Sequence, residues 1–268
     1  MNICVIGAGN VATHFAIGLQ QAGHYIAAIY SRHLPNANLL AQRVNAPLAT
    51  NNLTDLPSAQ VYLFAVKDDA LPQTAQILMS VPNANEGLWV HTAGSVSINV
   101  LPQNRLRAVL YPMMTLSKNT CVDLRSLPLF VEGGNALALE KVTDIAHDLS
   151  DNVSVLDSDK RMDLHLAAIF ANNFANHCFA LAYKLLENKG INPECLLPII
   201  DETAQKLHRM PPLQAQTGPA KRWDTDIITE HLKKLEQNSE LQQIYRLMSK
   251  SIHKSVQEDN SQNKKSSI

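Results

Sequence analysis

Cysteine is sparse in this chain. The four residues Cys4, Cys121, Cys178 and Cys195 are scattered and include no C-x-x-C pair. Neither a disulfide framework nor a zinc site is indicated, so no metal ligands are expected, and such usage fits a reducing cytoplasm. Charge of one sign is lacking too: 23 Lys and Arg face 24 Asp and Glu, for a net charge of −1. That gives no electrostatic footprint for nucleic acid or an anionic membrane surface. No stretch approaches the ~18 consecutive apolar residues of a transmembrane helix. The apolar residues 3–6 have no basic flank and are interrupted by Gly7, Gly9 and Asn10, so they read as a buried strand rather than a leader.

What is present suits one large or two modest globular domains. The chain has 268 residues, 46% apolar and 18% charged, enough for a sizeable core. Short apolar runs alternate with helical patterns through the first half. Strands are expected at 3–6, 25–30, 61–66, 88–91, 107–111, 129–132 and 153–156, with helices at 11–22, 37–44, 71–79 and 136–149. Strands spaced by helices predict parallel βαβ units, and a continuous apolar run such as 61–66 predicts a strand buried on both faces. After about Asp157 the strand signals stop. Helical patterns cover 163–187, 193–210, 225–235 and 241–253, with Gly190 as a C-terminal stop for the first of them. The predicted class is α/β: a Rossmann domain with a doubly wound parallel sheet over 1–157, then an all-helical domain over 158–256. The polar residues 257–268 are expected to form a disordered tail.

The turn Gly7-Ala8-Gly9-Asn10-Val11-Ala12 follows the first strand and opens the first helix. A lone glycine pattern is a weak signal, and this context strengthens it. Gly7 permits the tight turn, Gly9 lets the backbone approach a pyrophosphate, and Ala12 lets the helix pack closely on the sheet. The pyrophosphate would rest on the free N–H groups at the helix N-terminus. At the end of the second strand, where NAD sites usually carry Asp or Glu, the chain has Tyr30-Ser31-Arg32. No carboxylate opposes a 2′-phosphate there, while Ser31 and Arg32 can bond one, so the expected cofactor is NADP. The plainer alternatives are a Gly-rich turn without a ligand and a solvated Arg32.

Ligands of open α/β sheets bind outside the carboxyl ends of the strands. Ala65, Val66 and Lys67 should therefore line the cofactor cleft, and Asp68 is placed to cap the helix that follows. The segments His91-Thr92-Ala93-Gly94-Ser95 and Tyr111-Pro112-Met113-Met114-Thr115 should face the same cleft, with Thr92 beside the cofactor. His91 is read either as a proton donor or as a buried structural histidine. The apolar helix near 163–187 carries a polar stripe of His165, Asn172, Asn173, Asn176 and His177. Asn172 and Asn176 share a face, and His165 and Asn172 nearly align. Such a stripe needs hydrogen-bond partners, whether a substrate, the sheet edge or a second subunit. Lys206 and the segment 214–222 form a second polar cluster between helices, readable as a functional loop or as a linker.

The turn at 7–12 together with 91–95, 111–115, 165–177 and 216–222 resembles a bacterial family of Rossmann-like NADP oxidoreductases akin to pyrroline-5-carboxylate reductase. The resemblance runs to about residue 255. It implies an NADP-binding domain followed by a helical domain like that of the 6-phosphogluconate dehydrogenase superfamily, which commonly forms the dimer and closes over the nicotinamide. Several relatives place a catalytic Lys on the long helix opening that domain. The comparable stretch here offers Asn172, Asn173 and Asn176, and no Lys until Lys184, so the hydroxy-acid dehydrogenase mechanism does not follow from the resemblance.

The resulting expectation is an NADPH-dependent reductase of a small C=N or C=O substrate. His91 or His165 would donate the proton, and Asn172 and Asn173 would hold the substrate. It would form a homodimer through the helical half, with no nucleic-acid or membrane partner. The rival expectation is a redox-silent module that senses NADP(H).

Overall fold

Alternation along a single strand already divides the core in two. Strand β1 (Asn2–Ile6) sends Ile3 and Val5 to one face of its sheet, and Cys4 and Ile6 to the other, because successive side chains point to opposite faces. Helices α1 (Asn10–Gln21), α2 (Leu34–Arg43) and α4 (Ala136–Leu149) cover the first face through Phe15, Leu40 and Val142. Helix α3 (Leu71–Met79) covers the second through Leu71 and Leu78, with Trp89 and Phe64 beneath it. Each large apolar side chain so buried contributes about 1.5–3 kcal/mol. The buried polar tips are satisfied: Trp89 Nε1 donates to the Ala84 carbonyl at 3.0 Å, and the Tyr62 hydroxyl bonds the Pro57 carbonyl at 2.8 Å.

The remaining strands are β2 (Tyr25–Tyr30), β3 (Leu48–Thr50), β4 (Val61–Phe64), β5 (Leu88–His91), β6 (Arg107–Pro112), β7 (Leu129–Gly133) and β8 (Val153–Val155). They form one eight-stranded sheet in the order β3-β2-β1-β4-β5-β6-β7-β8. All pairings are parallel except β6 with β7. The antiparallel pair departs from the wholly parallel expectation. Among the described residues no helix separates those two strands, which run antiparallel instead of being joined by a helical crossover. From β1 the chain winds outward to β2 and β3, then returns to β4 on the other side of β1. The winding therefore reverses between β1 and β4, where open sheets of this kind bind ligands.

Beyond the sheet, α5 (Ser158–Ala168), a π-helical segment (Ile169–Phe174) and α6 (Ala175–Glu187) follow one another without a break. Gly190 then ends the run at φ +69°, as expected for a left-handed stop. The chain forms two compact units, Met1–His177 and Cys178–Ile268, so the division falls inside α6 and not at 157/158. The second unit contains α7 (Leu197–Lys206), α8 (Pro212–Ala215), α9 (Pro219–Arg222), α10 (Thr225–Lys234) and α11 (Ser239–Lys265). There the Trp223 ring stacks on His253 at 4.5 Å, and His231 Nδ1 and the Tyr245 hydroxyl are 2.8 Å apart. The polar cluster at 214–222 lies largely on the short helices α8 and α9, while Lys206 pairs with Glu202 one turn earlier in α7.

The computed structural model describes residues 1–84, 86–118, 120 and 122–265. The tail expected to be disordered from 257 is helical through Lys265. Its Gln, Glu and Lys residues are good helix formers, it contains neither Gly nor Pro, and Lys254 reaches Glu258 across one turn. Cys121 and tail residues 266–268 lie outside the described residues.

Candidate active site

Gly7 directly follows β1 and lies against the backbone of Ala65, just past β4. Its N–H bonds the Tyr30 carbonyl at 2.8 Å, and its φ of +126° suits only glycine. A Cβ there would overlap the carbonyl of Ala65, at the end of β4. Gly9 is different. Its φ of −82° is open to any residue, and a Cβ would meet no protein atom within 4 Å. Neither backbone nor packing demands glycine at this position. Its small size instead leaves open the space over the α1 N-terminus, where no side chain caps the helix and no acid sits in the first turn. The free N–H groups of that turn form a cradle for an anion.

The space is a cleft of about 240 Å³. Its walls include Gly7, Ala8, Gly9, Ser31, Arg32, Ala65, Val66 and Lys67, all expected from the sequence. Asn10 and Val11 form the first turn of α1 beside it. Thr92 is not part of its lining; its backbone N–H pairs with the Phe64 carbonyl at 3.1 Å. The lining carries Arg32, Lys67 and Lys118 and no Asp or Glu, a charge set that fits a polyanion such as a 2′-phosphorylated dinucleotide. Sequence reasoning missed Lys118, which sits in the irregular β6–β7 connection and has no local motif to mark it.

A second group of residues gathers at the ends of β5 and β6. Gly94 has no room for a side chain, because a Cβ would press on the Tyr111 ring and on His165 Nδ1. The Tyr111 hydroxyl lies 3.2 Å from His165 Nδ1, and the two rings meet edge-on at 6.2 Å. Segments 91–95 and 111–115 thus meet His165 of α5, and none of their residues is in the lining of the cleft over Gly7–Gly9 that they were expected to face. Burial raises the Tyr111 pKa, the nearby Asp68 charge pushes the same way and Arg161 opposes it, so the phenol stays protonated at neutral pH. Asp68 does not cap α3: the preceding turn is a short 3₁₀ segment and Ala70 holds the cap position. Its carboxylate instead takes a short hydrogen bond from Ser95 Oγ.

His91 is 0% exposed, and burial holds its pKa down to about 3, with the Arg161 charge adding to the effect and the Ser97 backbone working against it. Its Nδ1 accepts the Ala93 N–H at 3.2 Å, which puts the proton on Nε2, a buried atom without a hydrogen bond of regular geometry. At neutral pH His91 is therefore uncharged and carries no imidazolium proton to give. Of its two readings, the geometry matches the buried structural one.

Arg161 belongs to the same corner and was not anticipated, because an arginine in an amphipathic helix reads as a solvated cation. It is 1% exposed, pairs closely with Glu132 and donates to the Val96 carbonyl at 2.6 Å. Ser158 Oγ bonds Glu132 as well and accepts the Ile98 N–H at 3.0 Å. This network fastens the start of α5 to β7 and to the segment after β5, and so fixes where His165 stands. Asn172 and Asn173 are not brought into this group. They are exposed on the π segment, beside the Phe170–Phe174 ring pair. The π turns hold one more residue than α turns, so the alignment of His165 with Asn172 expected for a regular helix does not hold.

The strand order, the reversal between β1 and β4 and the glycine cradle define a Rossmann domain of the dinucleotide-binding type. Comparisons with known proteins place it more narrowly. Residues 2–90 match the family described as NADP oxidoreductase, coenzyme F420-dependent, and residues 127–252 match a domain of unknown function, DUF2520. A Bacteroides fragilis structure assigned as an NADP oxidoreductase is 40% identical over 94% of this chain and 98% of its own, with a TM-score of 0.86. The chain belongs to this NADP oxidoreductase family. The fold is shared by 1-pyrroline-5-carboxylate reductase from Streptococcus pyogenes, 16% identical over 95% of this chain and 98% of its own with a TM-score of 0.60. It is shared too by an imine reductase from Myxococcus stipitatus solved with NADP⁺, 16% identical over 97% of this chain and 94% of its own with a TM-score of 0.61. No curated protein matches the chain.

Proposed function

We propose that the chain is an NADPH-dependent reductase of a small C=N or C=O group. The observation that carries this reading is the cleft over Gly7–Gly9, walled by Arg32, Lys67 and Lys118 without a carboxylate. The first turn of α1 would hold the pyrophosphate, Ser31 and Arg32 the 2′-phosphate, and Ala65, Val66 and Lys67 the wall beside them, with Thr92 behind it. NADPH supplies a hydride when bound. Reduction of C=N or C=O also needs one proton on the nitrogen or oxygen, and His165 is the group to give it. Tyr111 occupies its Nδ1 and leaves Nε2 without a protein partner among the described residues. The imine reductase and the pyrroline-5-carboxylate reductase that share the fold make C=N compounds the first class to try.

The test is a calorimetric titration with NADPH and NADH, followed by NADPH oxidation against a panel of cyclic imines and ketones. Tight, NADPH-selective binding with turnover of a panel member supports the proposal; absence of binding overturns it.

A homodimer is part of the same proposal. It is supported by exposed Leu166, Phe170 (64% exposed) and Phe174 on the α5–π stretch, and by exposed Ile199 and Leu247 in the second unit. Sedimentation at micromolar concentration checks it. A cytoplasmic setting suits the unpaired, exposed Cys178 and Cys195. No helix among the described residues is long and apolar enough to cross a membrane.

A further inference from the structure

We infer that Lys118 is a phosphate-binding residue, carried by the β6–β7 connection to the α1 end of the dinucleotide cleft and aimed at the pyrophosphate. The inference rests on the dinucleotide reading of the cleft and adds to it a ligand from a distant part of the chain.

With no crossover helix among the described residues between β6 and β7, Ser117 and Leu124 of the connection lie against α1. The connection is fastened at these two points. His14 of α1 is buried, and its Nε2 lies 2.8 Å from the Ser117 carbonyl, which can only accept, so the ring N–H donates there. One helical turn further on, Gly18 leaves the room that Leu124 fills; a Cβ at Gly18 would overlap the leucine side chain. The same Ser117 carbonyl also accepts Thr120 Oγ1 at 3.0 Å. Lys118 follows the residue clamped by His14. It lines the cleft with Gly7, Ala8 and Gly9, and also an adjoining space of about 410 Å³ between Ala8 and Thr13 of the α1 end and Asn36 of α2. It therefore stands beside the α1 N-terminus, where free N–H groups already favour an anion. Arg32, at the end of β2, is left for the 2′-phosphate. Lys118 and Arg32 thus serve different phosphates of the ligand, and Lys67 stands in the wall of the same cleft.

The experiment titrates the whole protein with two fragments. ADP-ribose has the pyrophosphate and no 2′-phosphate; 2′-AMP has the 2′-phosphate and no pyrophosphate. Lys118→Ala is expected to weaken ADP-ribose by roughly ten- to a hundredfold, the worth of one charge-assisted hydrogen bond, and to leave 2′-AMP unchanged. Arg32→Ala is expected to do the reverse, and Lys118→Arg to restore most of the ADP-ribose affinity. An unchanged thermal midpoint for the free Lys118→Ala protein separates lost contact from lost folding. Unchanged ADP-ribose binding in Lys118→Ala, or a loss confined to 2′-AMP, overturns the assignment. Failure of the unsubstituted protein to bind NADPH or either fragment instead overturns the dinucleotide reading on which it rests.

Discussion

The Tyr111 hydroxyl and His165 Nδ1 stand 3.2 Å apart, across Gly94, so that the end of β6 holds a ring borne on α5. The pair converts a sheet end and a helix into one hydrogen-bonded unit, and its two members should respond differently to substitution. Replacing His165 by Asn removes the proposed proton donor and is expected to lower kcat by about 10²–10⁴ while leaving the NADPH Kd within a factor of two or so. Tyr111→Phe keeps the donor but frees its ring, so a smaller fall in kcat is expected. Steady-state rates on the first substrate found, beside calorimetric NADPH titrations, separate the two; full activity in His165→Asn would remove it from the mechanism.

The two glycines of the cradle make an opposed pair. Gly7→Ala should destabilise the fold by about 2–4 kcal/mol, since it combines a positive φ with overlap on Ala65. Gly9→Ala should fold normally and bind NADPH at least tenfold more weakly, because only the ligand needs that space. Urea unfolding and nucleotide titration on both variants give the comparison. Equal stability losses would refute this division of roles.

Arg32→Ala should reduce NADPH affinity by roughly ten- to a hundredfold and leave NADH affinity nearly unchanged, as expected for one charge-assisted bond to the 2′-phosphate. A parallel loss for both nucleotides would place Arg32 elsewhere on the ligand.

His91 makes stability depend on pH. Its folded pKa of about 3 lies below the ordinary 6.5. Between those values the unfolded chain binds a proton that the folded chain excludes. Stability is thus fully present above pH 6.5 and falls as the pH drops towards 3, by roughly 1.4 kcal/mol per pH unit within the window. His91→Gln removes this contribution. Urea midpoints from pH 7 to pH 4.5 should therefore fall more steeply for the native sequence than for the variant; matching slopes would reject the assignment.

The buried Glu132–Arg161 pair gives another stability test. Glu132→Gln leaves a guanidinium that is 1% exposed without its counter-charge, a loss of about 3–5 kcal/mol by urea unfolding. If stability is retained, the pair is not what fastens α5.

Much of the sheet was legible in the sequence because strands buried on both faces spell themselves out, as Val61-Tyr62-Leu63-Phe64 does. Strand β3 was not. Its three residues, Leu48-Ala49-Thr50, are too few to show a pattern beside Pro47. The cofactor turn was readable because each small residue in it has a local mechanical reason. The Arg161–Glu132–Ser158 network was not, since its partners lie 26 and 29 residues from Glu132 and only the folded chain joins them. Lys118 was hidden for the same reason: its neighbours are the far-off Gly7 and Gly9, and a lysine in an irregular segment looks solvated. His91 was ambiguous because strand position tells where a ring points and not how dry its surroundings are.

Residues 169–174 take the i to i+5 spacing, so the helix from Ser158 to Glu187 behaves like a screw with one thread widened. A single-residue deletion in that stretch is absorbed by closing the wide turn to regular α spacing, whereas the same deletion elsewhere in the helix would turn every later side chain by about 100°. When relatives are aligned, a one-residue gap in this helix therefore belongs at the wide turn, where the residues on either side keep their faces.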